Sequence, residues 1–195
     1  MGFTAIFGGT FNPFHNGHYE MLSELQNDPR IDEILIMPDK IPPHKECDYM
    51  PLDSDRIEMC EIVAKDFSKA SLCLIEFERK GKSYTYDTIM NLKEHFPQKE
   101  FIFVCGGDMF VYFPKWYKYK ELMKLLPFYV FTRTDTKETE FNSCLLEFER
   151  MGMEIIVNNT PISDISSTAF RTTKSPDLLP QKVYEFIKER GIYNV

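Results

Sequence analysis

The chain has 195 residues and a hydrophobic content of 43 %. That is enough for one compact domain with a real core, and too apolar for a disordered chain. Its net charge of −7 disfavours a long nucleic-acid partner, which calls for a basic surface. A small phosphorylated ligand needs only a local basic site.

Short apolar runs that read as strands fall at residues 3–7, 33–37, 71–77, 101–105, 128–132 and 154–157. Helical patterns lie between them. Met21, Leu22 and Leu25 recur at helical spacing after His18. Asp53 or Ser54 is placed to cap a helix carrying Ile57, Cys60, Val63 and Ala64 inward. Residues 85–96 read as a helix with Ile89 and Leu92 inward, stopped by Pro97, and residues 115–126 as another, stopped by Pro127. Residues 142–151 form a helix ending at Gly152, and Pro180 opens a last one ending at Gly191. Residues 39–51, with three prolines, and residues 133–140 read as surface loops. Strands alternating with helices imply an α/β fold with a doubly wound, mostly parallel sheet. Such sheets bind ligands at the carboxyl ends of their strands, at the point where strand order reverses. Gly8, residues 105–108 and Arg133 each lie just after an expected strand end.

The five cysteines, Cys47, Cys60, Cys73, Cys105 and Cys144, form no CxxC pair and are odd in number. They read as free thiols of a reducing compartment rather than disulfides or zinc ligands. The N-terminus carries no basic stretch ahead of an apolar run, and no apolar segment is long enough to span a bilayer. The expectation is a soluble cytoplasmic protein with no membrane partner.

The most informative stretch is Gly8-Gly9-Thr10-Phe11-Asn12-Pro13-Phe14-His15-Asn16-Gly17-His18. Two glycines after a strand let backbone approach a bulky anion, and two histidines three apart can face it. It is not a dinucleotide fingerprint, because GxGxxG is absent. Gly81-Lys82-Ser83 has the tail of a P-loop, but Glu76 stands where its first glycine belongs.

This stretch resembles the signature of nucleotidyltransferases with an (H/T)xGH motif. Ile165-Ser166-Ser167-Thr168-Ala169-Phe170-Arg171 resembles the ISSTxxR motif of the same superfamily. Three further segments narrow the resemblance to the bacterial nicotinate-nucleotide adenylyltransferases: Pro42-Pro43-His44-Lys45 (PPHK), Ser83-Tyr84-Thr85-Tyr86-Asp87-Thr88 (SYTxDT), and Gly106-Gly107-Asp108 followed by Trp116. Asn12 departs from the aspartate many members carry, and Gly107 from their alanine. The resemblance implies a Rossmann-like nucleotidyltransferase fold over residues 1–195 as a single domain, in which the segment from about 160 completes the ATP site. Some members carry a further hydrolase domain, and that activity is not expected of these residues.

The implied reaction joins nicotinate mononucleotide to ATP, giving deamido-NAD and pyrophosphate, in NAD biosynthesis. The mononucleotide phosphate is already ionised at neutral pH, so no general base is required. Catalysis is positioning and electrostatics. The expected catalytic residues are His15, His18 and Arg171. ATP is expected on Gly8, Gly9, Thr10, Phe11, His15, His18, Gly106, Asp108, Ile165, Ser166, Ser167 and Arg171, with Asp108 on a ribose hydroxyl and Thr168 beside the serines at a helix start. The mononucleotide is expected on Asn12, Lys45, Tyr84, Thr85, Tyr86, Trp116, Tyr117 and Arg133, with the Trp116 indole stacked on the pyridine. Backbone N–H groups near Tyr84–Tyr86 and Trp116–Tyr117 would select the acceptor-only carboxylate over the carboxamide. Magnesium is expected to arrive with ATP, because no paired carboxylates have metal-ligand spacing. A homo-oligomer is compatible with these features.

The rivals are a phosphopantetheine adenylyltransferase, an enzyme preferring nicotinamide mononucleotide, and a nucleotide sensor without turnover. PPHK and SYTxDT disfavour the first, and both histidines with Arg171 disfavour the last. A class I aminoacyl-tRNA synthetase would need a longer chain and a lysine-rich partner motif.

Overall fold

The computed structural model describes residues 2–40, 49–78, 84–132 and 138–195. Its sheet is built from β1 (Phe3–Gly9), β2 (Ile31–Pro38), β3 (Ala70–Leu72), β4 (Phe101–Gly106), β5 (Phe128–Phe131) and β6 (Ile155–Asn158). The spatial order is β3-β2-β1-β4-β5-β6, and every neighbouring pair is parallel. Strand order therefore reverses between β1 and β4, where a doubly wound sheet opens its ligand crevice. β1 stays paired with β2 through Gly9, opposite Pro38. Its pairing with β4 ends at Phe7, opposite Val104. The backbone of Gly8 and Gly9 thus borders the opening on its β4 side.

Parallel strands are buried on both faces, so alternate residues feed two cores. Ala5, Phe7, Ile34, Ile36, Ile102, Val104, Tyr129 and Phe131 face one. It is covered by α1 (Asn16–Asn27), α2 (Asp53–Ala64), α7 (Ser167–Thr173) and α8 (Gln181–Arg190). Ile6, Leu35, Met37, Phe103, Cys105 and Val130 face the other. That face carries α3 (Thr85–His95), α4 (Gly107–Tyr112), α5 (Tyr119–Leu122) and α6 (Glu138–Arg150). The expected α/β architecture is the observed one.

Several local expectations change. The run at 71–77 is a strand only over Ala70–Leu72; Ile75–Glu78 forms a 3₁₀ turn, so the apolar content there serves packing rather than a ladder. No single helix spans 115–126. Pro114 sits in a 3₁₀ turn, Phe113–Lys115, and Lys118 is left-handed at φ 52°, so only Tyr119–Leu122 is α-helical. The helix of this region comes earlier, as α4. Neither Asp53 nor Ser54 caps α2: Leu52 holds that position, and Asp53 lies in the first turn, pairing with Arg56 at 2.6 Å. Ile57 is only half-buried, while Arg56 occupies the inward face with Cys60 and Val63. α6 begins at Glu138, four residues before Asn142. Pro180 and Gly191 do bracket α8, with Gly191 left-handed at φ 65°, a backbone conformation glycine adopts without a Cβ penalty.

Cys60, Cys73, Cys105 and Cys144 are free thiols. Burial pushes the Cys60 and Cys105 thiols well above the ordinary range. Among the described residues, no helix is long and apolar enough to cross a membrane.

The C-terminus closes onto the turn after β1. Tyr193, buried and left-handed at φ 60°, donates its hydroxyl to Asn12 Oδ1 at 2.6 Å. Burial raises its phenol, so it stays a donor. Tyr193→Phe leaves a buried amide oxygen without that donor. It should cost about 1–3 kcal/mol, seen as a lower urea midpoint with an unchanged slope.

Candidate active site

The turn joining β1 to α1 is held from outside by its carbonyls. The Asp39 N–H donates to Gly9 O at 2.9 Å. Arg56 NH1 donates to Thr10 O at 2.9 Å, Arg171 NH1 to Asn12 O at 2.7 Å, and Ser167 Oγ to Pro13 O at 2.9 Å. By contrast, among the described residues no hydrogen bond engages the N–H of Thr10, Phe11 or Asn12. Backbone donors away from water are almost always paired. A turn whose carbonyls are satisfied and whose N–H groups are not is built for an anion.

Phe11 is left-handed at φ 47°, which a side chain adopts only when its surroundings enforce it. Its ring, 2 % exposed, stacks on Phe14 at 4.9 Å and meets the His18 ring edge-on at 5.1 Å. A Cβ on Gly9 would lie 3.0 Å from that ring, so Gly9 is required by the packing of Phe11. A Cβ on Gly8 would approach only Met37, at 3.8 Å or more. The protein itself does not demand glycine there; the open space above Gly8 does not need to be empty of ligand.

His15 and His18 cap α1 reciprocally. The His18 N–H donates to His15 Nδ1 and the His15 N–H to His18 Nδ1, each at 3.3 Å, and the two rings stack at 3.6 Å. This is a capping box in which imidazoles replace the usual hydroxyl and carboxylate. Because both Nδ1 atoms accept, each neutral ring carries its proton on Nε2. Both rings thereby become Nε2–H donors in a fixed orientation.

The ISST segment supports the same turn. Ser166 caps α7, its Oγ accepting from the Ala169 N–H at 3.1 Å. The Ser167 hydroxyl is engaged with Pro13, and Thr168 Oγ1 accepts from Arg171 NH2 at 3.0 Å. The hydroxyls of all three thus have internal partners and the Ala169 N–H is taken by Ser166, so among the described residues the Ser167 and Thr168 N–H groups are the first-turn donors of α7 without a hydrogen-bond partner. Arg171 uses two of its five N–H groups on Asn12 and Thr168, and three remain. Ile165 is half-buried, its N–H on Ser163 O at 2.8 Å. Across the crevice, Gly106 is the N-cap of α4, and Asp108 is exposed in its first turn.

Asn12 is turned away from the opening. It is 2 % exposed; its Nδ2 donates to Tyr49 O at 2.9 Å, and its Oδ1 accepts from Tyr193. Its amide is a structural tie, which suits asparagine better than aspartate because both a donor and an acceptor are used. On the β4 side, Tyr84 and Tyr117 rings lie 4.8 Å apart, and Tyr86 and Tyr117 rings 6.2 Å apart. Trp116 follows the 3₁₀ turn and packs edge-on against Phe103 and Phe113, each at 5.5 Å. Its buried Nε1 has no hydrogen-bond partner among the described residues. Thr85 opens α3 and Tyr84 precedes it, contributing no side-chain cap. The structure therefore joins the SYTxDT segment to Trp116 and Tyr117. Lys45 and Arg133 lie outside the described residues. Among the described residues no three His, Cys, Asp or Glu side chains converge as a metal site.

Arg56 escapes the sequence reading. It is fully buried, and an arginine at the start of a helix reads as a solvated charge. Its spacing of four and seven residues from Cys60 and Val63 is the signal that places it inward. Lys118, exposed, with Nζ 4.4 Å from the Tyr86 ring centre and 5.2 Å from that of Tyr117, is also absent from the sequence reading, because its ring partners become neighbours only in the fold.

Gly17 makes the histidine pair possible. A Cβ there would lie 3.2 Å from His15 Nδ1 and Cε1 and 3.2 Å from Ser163 O. Ser163 cannot yield, because its N–H and hydroxyl are held by Glu20 at 2.6 and 2.5 Å. Gly17→Ala gains about 1 kcal/mol of helix propensity and loses a comparable amount to crowding. Thermal stability should change little, while displacement of His15 lowers turnover of the expected adenylyl transfer by about tenfold or more.

Residues 6–173 match the cytidylyltransferase-like family model. The chain is 37 % identical to the nicotinate-nucleotide adenylyltransferase of Bacillus subtilis over 195 residues, covering 97 % of each chain. It is 35 % identical to the probable nicotinate-nucleotide adenylyltransferase of Lactococcus lactis, covering 97 % of this chain and 94 % of that one. The nicotinic acid mononucleotide adenylyltransferase of Plasmodium falciparum, solved in complex with APC, superposes with a TM-score of 0.83 at 21 % identity, over 100 % of this chain and 98 % of that one. The superposition shows a shared fold, and by sequence the chain belongs to the nicotinate-nucleotide adenylyltransferases, within the cytidylyltransferase-like family.

Proposed function

We propose that this chain transfers the adenylyl group of ATP to nicotinate mononucleotide, giving deamido-NAD and pyrophosphate, as a cytoplasmic enzyme of NAD biosynthesis. The observation that carries the reading is the turn whose Gly9, Thr10, Asn12 and Pro13 carbonyls are held and whose Thr10–Asn12 N–H groups have no partner among the described residues, flanked by two fixed imidazole donors and a guanidinium.

The acceptor's 5′-phosphate oxygen attacks the α-phosphorus of ATP in line. A new P–O bond forms, and the bond to the bridging oxygen of the β-phosphate breaks, so pyrophosphate leaves with that electron pair. Negative charge moves onto the equatorial α-phosphate oxygens and the departing bridge. The Nε2–H groups of His15 and His18 stabilise the first, and the backbone donors at Thr10–Asn12 hold the triphosphate beside them. Arg171 and the first turn of α7 stabilise the second, so the segment from about 160 completes the ATP site. Gly8 and Gly9 admit the α-phosphate close to β1. Gly106, Asp108 and Ile165 take the adenosine, with the Asp108 carboxylate accepting from a ribose hydroxyl. Magnesium, bound to the ATP phosphates, supplies further charge neutralisation when present.

The acceptor lies toward α3. The pyridine packs against Trp116, with Tyr84, Tyr86 and Tyr117 walling the pocket. N–H groups at the start of α3 and beside Tyr117 receive the carboxylate. A carboxamide would present an NH₂ to those donors, which a hydrogen-bonding site rejects strongly. Lys45 and Arg133 serve the mononucleotide phosphate in this reading, and Asn12 contributes by holding the turn.

Pyrophosphate release with ATP, magnesium and each candidate acceptor tests the proposal. Nicotinate mononucleotide should give the highest kcat/KM; a higher value for nicotinamide mononucleotide or phosphopantetheine would reassign the substrate, and no release with any acceptor would leave a nucleotide sensor. His18→Ala should lower kcat by roughly 10²- to 10³-fold, as loss of a preorganised donor does, with a smaller change in KM. Near-normal kcat in that variant removes His18 from catalysis.

A further inference from the structure

Glu76 lies in the 3₁₀ turn Ile75–Glu78 and is 4 % exposed. Its Oε1 accepts from the Thr88 hydroxyl at 2.9 Å. Its Oε2 is buried and has no hydrogen-bond partner among the described residues. Thr88 is itself fully buried, on the second turn of α3, and its hydroxyl also lies 3.2 Å from Tyr84 O. Burying a carboxyl with one oxygen unsatisfied is costly. A core built for stability alone would place an apolar pair here.

What the pair does is fix α3 at its beginning. The Thr88 hydroxyl has one proton and two acceptors, Glu76 Oε1 and the carbonyl of Tyr84, which precedes the helix. Among the described residues, Tyr84 supplies no side-chain cap to that turn. The tie to Glu76 comes from a different element, the 3₁₀ turn Ile75–Glu78, and so joins α3 to that turn. Displacement of a hydrogen-bonding group by about 1 Å is enough to cost up to about 10²-fold in a positioned reaction.

We propose that Glu76 and Thr88 form a buried strut that positions the first turn of α3 and so sets the preference for an acidic pyridine acceptor. The inference rests on the function proposed above and concerns positioning residues, since neither side chain reaches the reacting atoms. The strut acts through geometry: an acceptor oxygen at position 76 and a hydroxyl at position 88 are what it needs.

The test is steady-state kinetics with ATP and both nicotinate and nicotinamide mononucleotides. Thr88→Val should raise KM for nicotinate mononucleotide about tenfold, narrow the preference over the amide by the same factor, and leave kcat and KM for ATP within about twofold. Thr88→Ser, which restores the hydroxyl, should return all constants to near wild type. Glu76→Gln, which keeps an acceptor oxygen, should resemble wild type, whereas Glu76→Ala should match Thr88→Val. The double variant Glu76→Ala/Thr88→Val should be no worse than either single one, because both break one tie. Unchanged acceptor KM in Thr88→Val, a parallel rise in KM for ATP, or additive losses in the double variant would overturn the strut. Wild-type protein that fails to use nicotinate mononucleotide would overturn the function and the strut together; wild-type turnover with an indifferent Thr88→Val overturns the strut alone.

Discussion

The orientation of the peptide units between Gly9 and His15 is the constraint on which the site depends. A peptide plane offers its N–H and its C=O in opposite directions. Holding the carbonyls of Gly9, Thr10 and Pro13 outward with donors from Asp39, Arg56 and Ser167 therefore turns the N–H groups of Thr10, Phe11 and Phe14 the other way, while Arg171 anchors the Asn12–Pro13 unit, which has no N–H. No sequence in the turn alone could achieve this, because Phe11 must occupy a left-handed conformation that an isolated chain avoids. The aromatic stack of Phe7, Phe11, Phe14 and His18 supplies the packing that stabilises it. The turn, the two arginines and the stack thus form one unit, and the histidines inherit their orientation from it.

That unit also resolves the conflict between an acidic protein and polyanionic substrates. The chain carries a net charge of −7, which repels phosphate at long range, although salt screens such repulsion beyond about 10 Å. Close in, Arg56 is fully buried and Arg171 half-buried, both bound to the turn that receives the ligand. A cation removed from water acts through a lower effective dielectric than a surface lysine does. Local placement therefore outweighs the bulk charge. Arg56 has a second effect. Its Nε is buried without a partner among the described residues, a further donor of the guanidinium beside the turn.

What could be read in the sequence, and what could not, follows from range. β1, the glycines and the paired histidines are visible because their spacing is local and their residue types are unusual together. α8 is visible because proline and glycine bracket it. The helix expected at 115–126 fails because Pro114 and the left-handed Lys118 break a run whose apolar periodicity looked continuous. The strand expected at 71–77 fails because an apolar run alone cannot distinguish a ladder from a 3₁₀ turn packed on the core. The roles of Arg56, Tyr193 and Glu76 depend on partners 46, 181 and 12 residues away, and nothing in their immediate neighbours announces those contacts. Asn12 shows the reverse error. Its place in the motif suggests a ligand contact, yet its amide joins Tyr49 to Tyr193.

The two faces of the sheet divide the labour. The capped histidines, Arg56, and the helix bearing Arg171 belong to the face covered by α1, α2, α7 and α8, while Tyr86 and Trp116 pack on the face covered by α3 to α6. The two sets meet only at the crevice between β1 and β4, because that is where connections leave the sheet in opposite directions. Chemistry at the α-phosphorus is common to any acceptor carrying an ionised phosphate, so the first face has no reason to change with the substrate. On the proposed reading, recognition of the acceptor's other end falls to the second face, where a shift of α3 or of the 3₁₀ turn before Trp116 would alter selectivity without moving a histidine. A sheet that separates the reaction from its choice of substrate allows one phosphate site to serve different acceptors, and the buried tie between Glu76 and Thr88 sits on the side where that choice is made.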